Sequence, residues 1–125
     1  MVRALLPWNP GARNGAAMDD APANLLVDLP SAAAGEVFTD LLARPRVRLE
    51  RIVSAGQTTP DDAPMVQAAD EWVLLLAGAA GLRLEDGREI ALRPGDHVFI
   101  PAGTRHWVTH TSRNPPAVWL ALHLD

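Results

Sequence analysis

Residues 95–110, GDHVFIPAGTRHWVTH, decide how this chain is read. Gly95 and Asp96 close the turn Arg93-Pro94-Gly95-Asp96, and the apolar residues after it extend a strand through Ile100. Pro101 and Gly103 then frame a bend, the first with a fixed φ and no N–H, the second free to take backbone angles that other residues resist. His106 opens the next strand. Side chains two apart on a strand share a face, so this spacing puts His106, Val108 and His110 on one side and Trp107 on the other.

The turn chemistry continues in both directions. Asp86-Gly87 is a hairpin turn between residues 79–85 and 88–92, and Gly78 joins residues 71–77 to that hairpin. Residues 101–105 bend, 106–111 are extended, 112–116 loop, and 118–124 form the last strand. Toward the N-terminus, residues 56–64 (GQTTPDDAP) are loop chemistry. From Arg46 to about Ser54 the period is two: Val47 and Leu49 alternate with Arg46, Arg48 and Glu50, as on a half-buried strand. Ser31 caps a short helix expected over residues 32–43, where Val37/Leu41 and Phe38/Leu42 make i, i+4 pairs and Pro45 forbids continuation. Residues 24–29 (NLLVDL), closed by Pro30, read as an edge strand. Residues 1–23 show no period and are expected to be a flexible arm, with Trp8 available to dock on the body or on a neighbouring subunit. Many short strands at near-regular spacing make residues 24–125 a single all-β sandwich or barrel with one short N-terminal helix.

Composition narrows the function classes. The chain has 125 residues, enough for one core, and 48% of them are apolar. No apolar run is long enough to span a membrane, and the net charge of −4 argues against a nucleic-acid backbone as partner. With no cysteine, disulfides, thiolate ligands and a cysteine nucleophile are all excluded. The N-terminus lacks a secretory apolar core, so a cytoplasmic location is expected. On residues 71–77 both faces are apolar, Val73 and Leu75 on one and Trp72, Leu74 and Leu76 on the other. A small barrel has one interior, so the second face must be covered by a second subunit, giving a homodimer, or by the chain's own first forty residues.

Gly95, Pro101, Gly103 and His106 fit the pattern G-x5-P-x-G-x2-H-x3-N, with His110 in place of the Asn. In this the chain resembles the cupin family. The second half of that family's other signature, G-x5-H-x-H-x3,4-E-x6-G, is met by Glu71 and Gly78, while Met65 and Gln67 stand where its two histidines belong. The stretch from NLLVDLP through RLERIVSAGQ, with EWVLLL and VWLALH, is similar to small bacterial cupins of unassigned function. The resemblance covers about residues 47–124. It implies a double-stranded β-helix, or jelly-roll barrel, with a site at one end.

That site, by the same resemblance, holds a divalent transition metal (Zn, Fe, Mn or Ni) on Gln67, Glu71 and His106, with His110 or His123 as further ligands. A neutral amide is a poorer ligand than an imidazole, so the ion is expected to be weakly held. His123 shares a face with Trp119 and Ala121, and either that set or Val118, Leu120 and Leu122 is the interior one. Glu71 and His106 are the candidate catalytic residues. Three functions remain open, each with a small-molecule ligand in the barrel. The protein is a metal-dependent enzyme, a metal-free acid–base isomerase using His106 and Glu71, or a non-catalytic binding module.

Overall fold

The computed structural model describes residues 21–125, so the arm expected over residues 1–23, with Trp8, lies almost wholly outside the described residues. The rest is β-structure: β1 (Val37–Arg44), β2 (Val47–Ser54), β3 (Asp70–Ala77), β4 (Ala80–Leu84), β5 (Glu89–Leu92), β6 (His97–Ile100), β7 (His106–Thr111) and β8 (Ala117–Leu124). They form two antiparallel sheets, one ordered β1-β2-β8-β3-β6 and the other β5-β4-β7. One buried cluster draws on both: Val73, Leu75, Ile100, Trp119 and Ala121 from the larger sheet, Leu82, Leu84 and Leu92 from the smaller. This is the jelly-roll arrangement, two sheets closed over one apolar interior. Among the described residues no helix is long and apolar enough to cross a membrane.

The N-terminal elements differ from the sequence expectation. Residues 32–43 hold no helix, and Val37–Arg44 is strand β1. The two-residue turn Pro45-Arg46 folds it directly back on β2, with seven residue pairs in register from Val37↔Val53 to Arg44↔Val47. A β-bulge between Asp40 and Leu42 leaves Leu41 unpaired and breaks the alternation, so the apolar residues fall at spacings that imitate a helical face. Residues 24–29 are turn and irregular chain, not an edge strand; Leu26 N–H donates to Asn24 Oδ1 at 2.8 Å in an Asx turn.

The polarity of β2 is also the reverse of a simple alternation reading. Its inward face carries Glu50 and Ile52, which line the interior cavity, whereas Val47 and Leu49 share the outer face with Arg51. The segment leading into β1 is tied to that outer face, where Arg51 Nη1 donates to the Leu25 carbonyl at 3.1 Å. On β8 the interior set is Trp119, Ala121 and His123.

The β3–β4 corner turns at Gly78, with φ +81°, against the β7–β8 connection. A Cβ there would stand 2.6 Å from Ser112 Oγ and press on the Pro116 carbonyl. Ser112 Oγ in turn accepts from Ala79 N–H at 2.9 Å and donates to the Pro115 carbonyl at 2.7 Å, tying the two connections together.

Candidate functional site

The loop from β2 to β3 crosses the open side of the barrel and pairs with β7. Met65 N–H donates to the His106 carbonyl at 2.9 Å, His106 N–H donates to the Met65 carbonyl at 3.0 Å, and Thr59 N–H donates to the Val108 carbonyl at 2.8 Å. Gly103 N–H completes the tie by donating to the Gln67 carbonyl at 2.8 Å. These bonds bring Met65 and Gln67 from the loop, Glu71 from β3 and His106 from β7 to one cavity of about 120 Å³. Its apolar walls include Ile52, Val73, Leu82, Ile100, Val108 and Trp119, and Phe38, 57% exposed, stands at its mouth.

Glu71 and His106 face each other inside it. His106 is 2% exposed and Glu71 is 6% exposed. His106 Nδ1–H donates to the Thr104 carbonyl at 3.0 Å, because a carbonyl can only accept, and this leaves Nε2 directed at Glu71. Nε2 lies 3.6 Å from Glu71 Oε1, beyond hydrogen-bond length, and that oxygen has no hydrogen-bond partner. Burial pushes the His106 imidazolium toward losing its proton. The Glu71 carboxylate and the Thr104 carbonyl outweigh that, and the group is held above its ordinary value of 6.5.

A second carboxylate–imidazole pair lies beside the first, on the neighbouring strands. Glu71 on β3 is the register partner of His123 on β8, and β2 pairs with the other edge of β8. His123 Nε2 is 2.8 Å from Glu50 Oε2, and its Nδ1 donates to Gln67 Oε1 at 3.0 Å. Arg48 Nη1 donates to the other oxygen, Glu50 Oε1, at 2.8 Å. Glu50 and His123 are 5% and 6% exposed, yet every side-chain oxygen and ring nitrogen of this pair has a partner. Sequence reasoning missed Glu50, which it placed with the polar face of β2. The available signal was the continuation of the alternation, since Ile52 and Ser54 share its parity.

The other histidines lie elsewhere. His110 is exposed, because the β4–β7 register shifts between Gly81 and Leu82. The extra residue, Thr109, is a bulge that turns His110 off the face it would share with His106 and Val108. His97 is exposed on the outer face, where Trp72 Nε1–H donates to its Nδ1 at 3.2 Å.

Among the described residues no group of three or more His, Cys, Asp or Glu side chains converges on a common point. The Gln67 amide oxygen is turned to His123, and both His123 ring nitrogens are engaged. Glu71 and His106 remain, two donors where a first-row ion is ordinarily held by at least three protein ligands. The expected set of Gln67, Glu71, His106 and His123 is thus divided between two networks, and the residues do not fit a resident ion.

Comparison with known proteins agrees with this architecture. No protein of curated function matches the chain. A Ralstonia eutropha JMP134 protein provisionally named a mannose-6-phosphate isomerase is 40% identical, with a TM-score of 0.79 over 84% of this chain and 98% of that one. A cupin superfamily protein from Desulfitobacterium hafniense DCB-2 is 20% identical, with a TM-score of 0.68 over 84% of this chain and 91% of that one. The DMSP lyase DddQ of Ruegeria pomeroyi DSS-3 is 24% identical, with a TM-score of 0.63 over 78% of this chain and 51% of that one. At those identities the last two share the fold and carry nothing about activity. The cupin-domain family profile matches residues 52–123, from Ile52 within β2 to His123 in β8, and the chain belongs to the cupin family.

Proposed function

We propose that the barrel is an isomerase for a small hydroxylated carbonyl compound, moving a proton between adjacent carbons with Glu71 and His106. The observation that carries the reading is Glu71 Oε1. It is a buried carboxylate oxygen with no hydrogen-bond partner, facing His106 Nε2 at 3.6 Å in a cavity whose walls also carry Ile52, Val73, Leu82, Ile100, Val108 and Trp119. A buried acceptor left open costs about 1–3 kcal/mol, more when charged, and a ligand hydroxyl or an acidic C–H is what such an atom can receive. The 40% identical Ralstonia protein, provisionally named a mannose-6-phosphate isomerase, supports an aldose–ketose type of substrate.

The chemistry divides between the two groups. Glu71 takes the proton from the carbon next to the carbonyl through Oε1. His106, whose protonated form the same carboxylate favours, gives its Nε2 proton to the carbonyl oxygen, and an enediol results. Delivery of a proton from Glu71, which exchanges with solvent while the enediol is bound, to the former carbonyl carbon, with return of a hydroxyl proton to His106 Nε2, gives the isomeric carbonyl. No net proton, electron or group is gained or lost. Thr104 keeps the proton on Nδ1, so that Nε2 is the nitrogen that loses and regains one, and the apolar walls limit water at the reacting carbons.

The test is proton exchange in D2O, followed by ¹H NMR on a set of aldoses, ketoses and their phosphates, with and without chelator. The expected result is deuterium at the carbon next to the carbonyl, insensitive to chelator. Glu71→Gln and His106→Gln should each slow exchange by about 10²–10⁴-fold, the range for a positioned acid or base. Exchange abolished by chelator and restored by one divalent ion would overturn the metal-independent mechanism.

A further inference from the structure

A second cavity lies at one end of the barrel, between the β1–β2 turn and the residues just before β3. Its volume is about 370 Å³, and its polar lining is Arg44, Arg46, Arg48, Gln67, His123 and Asp125. We propose that this cleft binds a phosphate group, as free phosphate or as a phosphate monoester.

Three observations support it. First, three guanidinium groups fall within five residues of a chain whose net charge is −4, and Asp125 is the one acidic residue in the lining. Second, two of them are uncommitted. Among the described residues Arg44 and Arg46 make no ion pair, and the side-chain hydrogen bond of Arg44 goes to the neighbouring Ala43 carbonyl. Arg48 is 2.8 Å from Glu50 and 3.8 Å from Asp40, so it anchors the wall while keeping donors free. Third, Arg46 sits at φ +68°, in the second position of the turn, where glycine or asparagine is the unstrained choice. A cation is held there at the expense of backbone comfort, and strain of that kind is a pointer to function.

The planar fork of arginine matches phosphate oxygens two at a time, which a lysine cluster would not do. The cleft also adjoins the interior cavity. Gln67 lines both, and His123 lines the cleft while its partner Glu50 lines the cavity. The phosphate site does not depend on the proton-transfer reading and can be tested without a substrate.

Isothermal titration of the full chain with inorganic phosphate and with glycerol 3-phosphate, at constant ionic strength with chloride as control, provides the test. One saturable site is expected for phosphate. Arg46→Gly, which removes the cation and relaxes the positive φ, and Arg44→Gln should each weaken it at least tenfold with the urea midpoint no lower than that of the parent chain. His106→Gln should leave it unchanged. Tighter binding of glycerol 3-phosphate would identify an ester as the ligand, and tighter binding of inorganic phosphate the free ion. Heats equal to those of chloride, or binding lost in His106→Gln and retained in both arginine variants, would overturn the proposal. Failure of the D2O exchange test would leave this result standing, and the reverse also holds.

Discussion

Removing His123 tests whether the Glu50 network is a satisfied structural unit. In His123→Leu, Glu50 Oε2 loses the nitrogen at 2.8 Å and Gln67 Oε1 loses its donor at 3.0 Å. Glu50 is 5% exposed, so water cannot readily replace what is lost, although Arg48 still bonds Oε1 at 2.8 Å. Breaking a buried pair costs about 3–5 kcal/mol when the remaining charge is left bare, and an unpaired buried neutral acceptor about 1–3 kcal/mol. With Arg48 retained and Gln67 only half-buried, the expected loss is about 2–4 kcal/mol. In a domain of this size that lowers Tm by roughly 8–16 °C. Adding Glu50→Leu should restore at least half of it, because a polar pair replaced on both sides by apolar groups leaves nothing unsatisfied. Arg48, 44% exposed at its side chain, then turns to Asp40 and solvent. The assay is urea unfolding of the parent chain, both single variants and the double variant at one pH, read as a double-mutant cycle. A single variant within about 0.5 kcal/mol of the parent, or a double variant whose loss equals the sum of the singles, would refute the reasoning.

Two further outcomes follow from the geometry. His106 is held above 6.5 in the folded chain, so its contribution to stability is fully present below pH 6.5 and is lost as the pH rises through that elevated value. The ring should titrate by NMR with a midpoint above 6.5, and the urea midpoint of the parent should fall across the same window relative to His106→Asn; a ring midpoint at or below 6.5 contradicts the pairing with Glu71. Gly78→Ala and Gly87→Ala separate steric need from backbone angle, since φ is positive at both (+81° and +93°) but a Cβ at Gly87 meets nothing within 4 Å. The first should cost at least about 3 kcal/mol and the second about 1–2 kcal/mol in urea unfolding, and equal losses would show that the Ser112 and Pro116 contacts yield freely.

The elements legible in the sequence are those whose signal is local. Asp86-Gly87, Gly78 and the bend at Pro101–Gly103 each mark their turn with residues that have few other uses, and the strands between them fall where the turns require. Apart from residues 24–29, where a local Asx turn at Asn24 replaces the expected edge strand, the misread elements depend on events between strands. The β1 pattern imitates a helix because the bulge at Leu41 breaks its alternation, and a bulge is set by pairing with β2. His110 leaves the interior for the same reason at Thr109. Glu50 escaped notice because β2 presents apolar Val47 and Leu49 outward and Arg48 with Glu50 inward, contrary to the usual sense of alternation. That inversion makes physical sense only with His123, 73 positions away, supplying the partner for a buried carboxylate.

The contrast between the two carboxylates explains why one is a candidate for chemistry and the other is not. Both are buried against an imidazole in the same barrel, so burial alone does not distinguish them. Glu50 has an arginine on one oxygen and a histidine on the other, and proton transfer to it would have to break a charge-assisted bond first. Glu71 keeps Oε1 open, with His106 close enough to be influenced by its charge and too far to satisfy it. An open buried oxygen is a standing cost in the empty barrel that a ligand presenting a donor between Glu71 and His106 would relieve. Such a ligand should therefore bind more tightly than its deoxy analogue by more than one ordinary hydrogen bond, because it supplies a bond and removes an unsatisfied charge together. The same ligand should bind Glu71→Ala with no such preference. In that variant the acceptor is gone, and the gap between hydroxylated and deoxy ligands should shrink to what water-exposed contacts give.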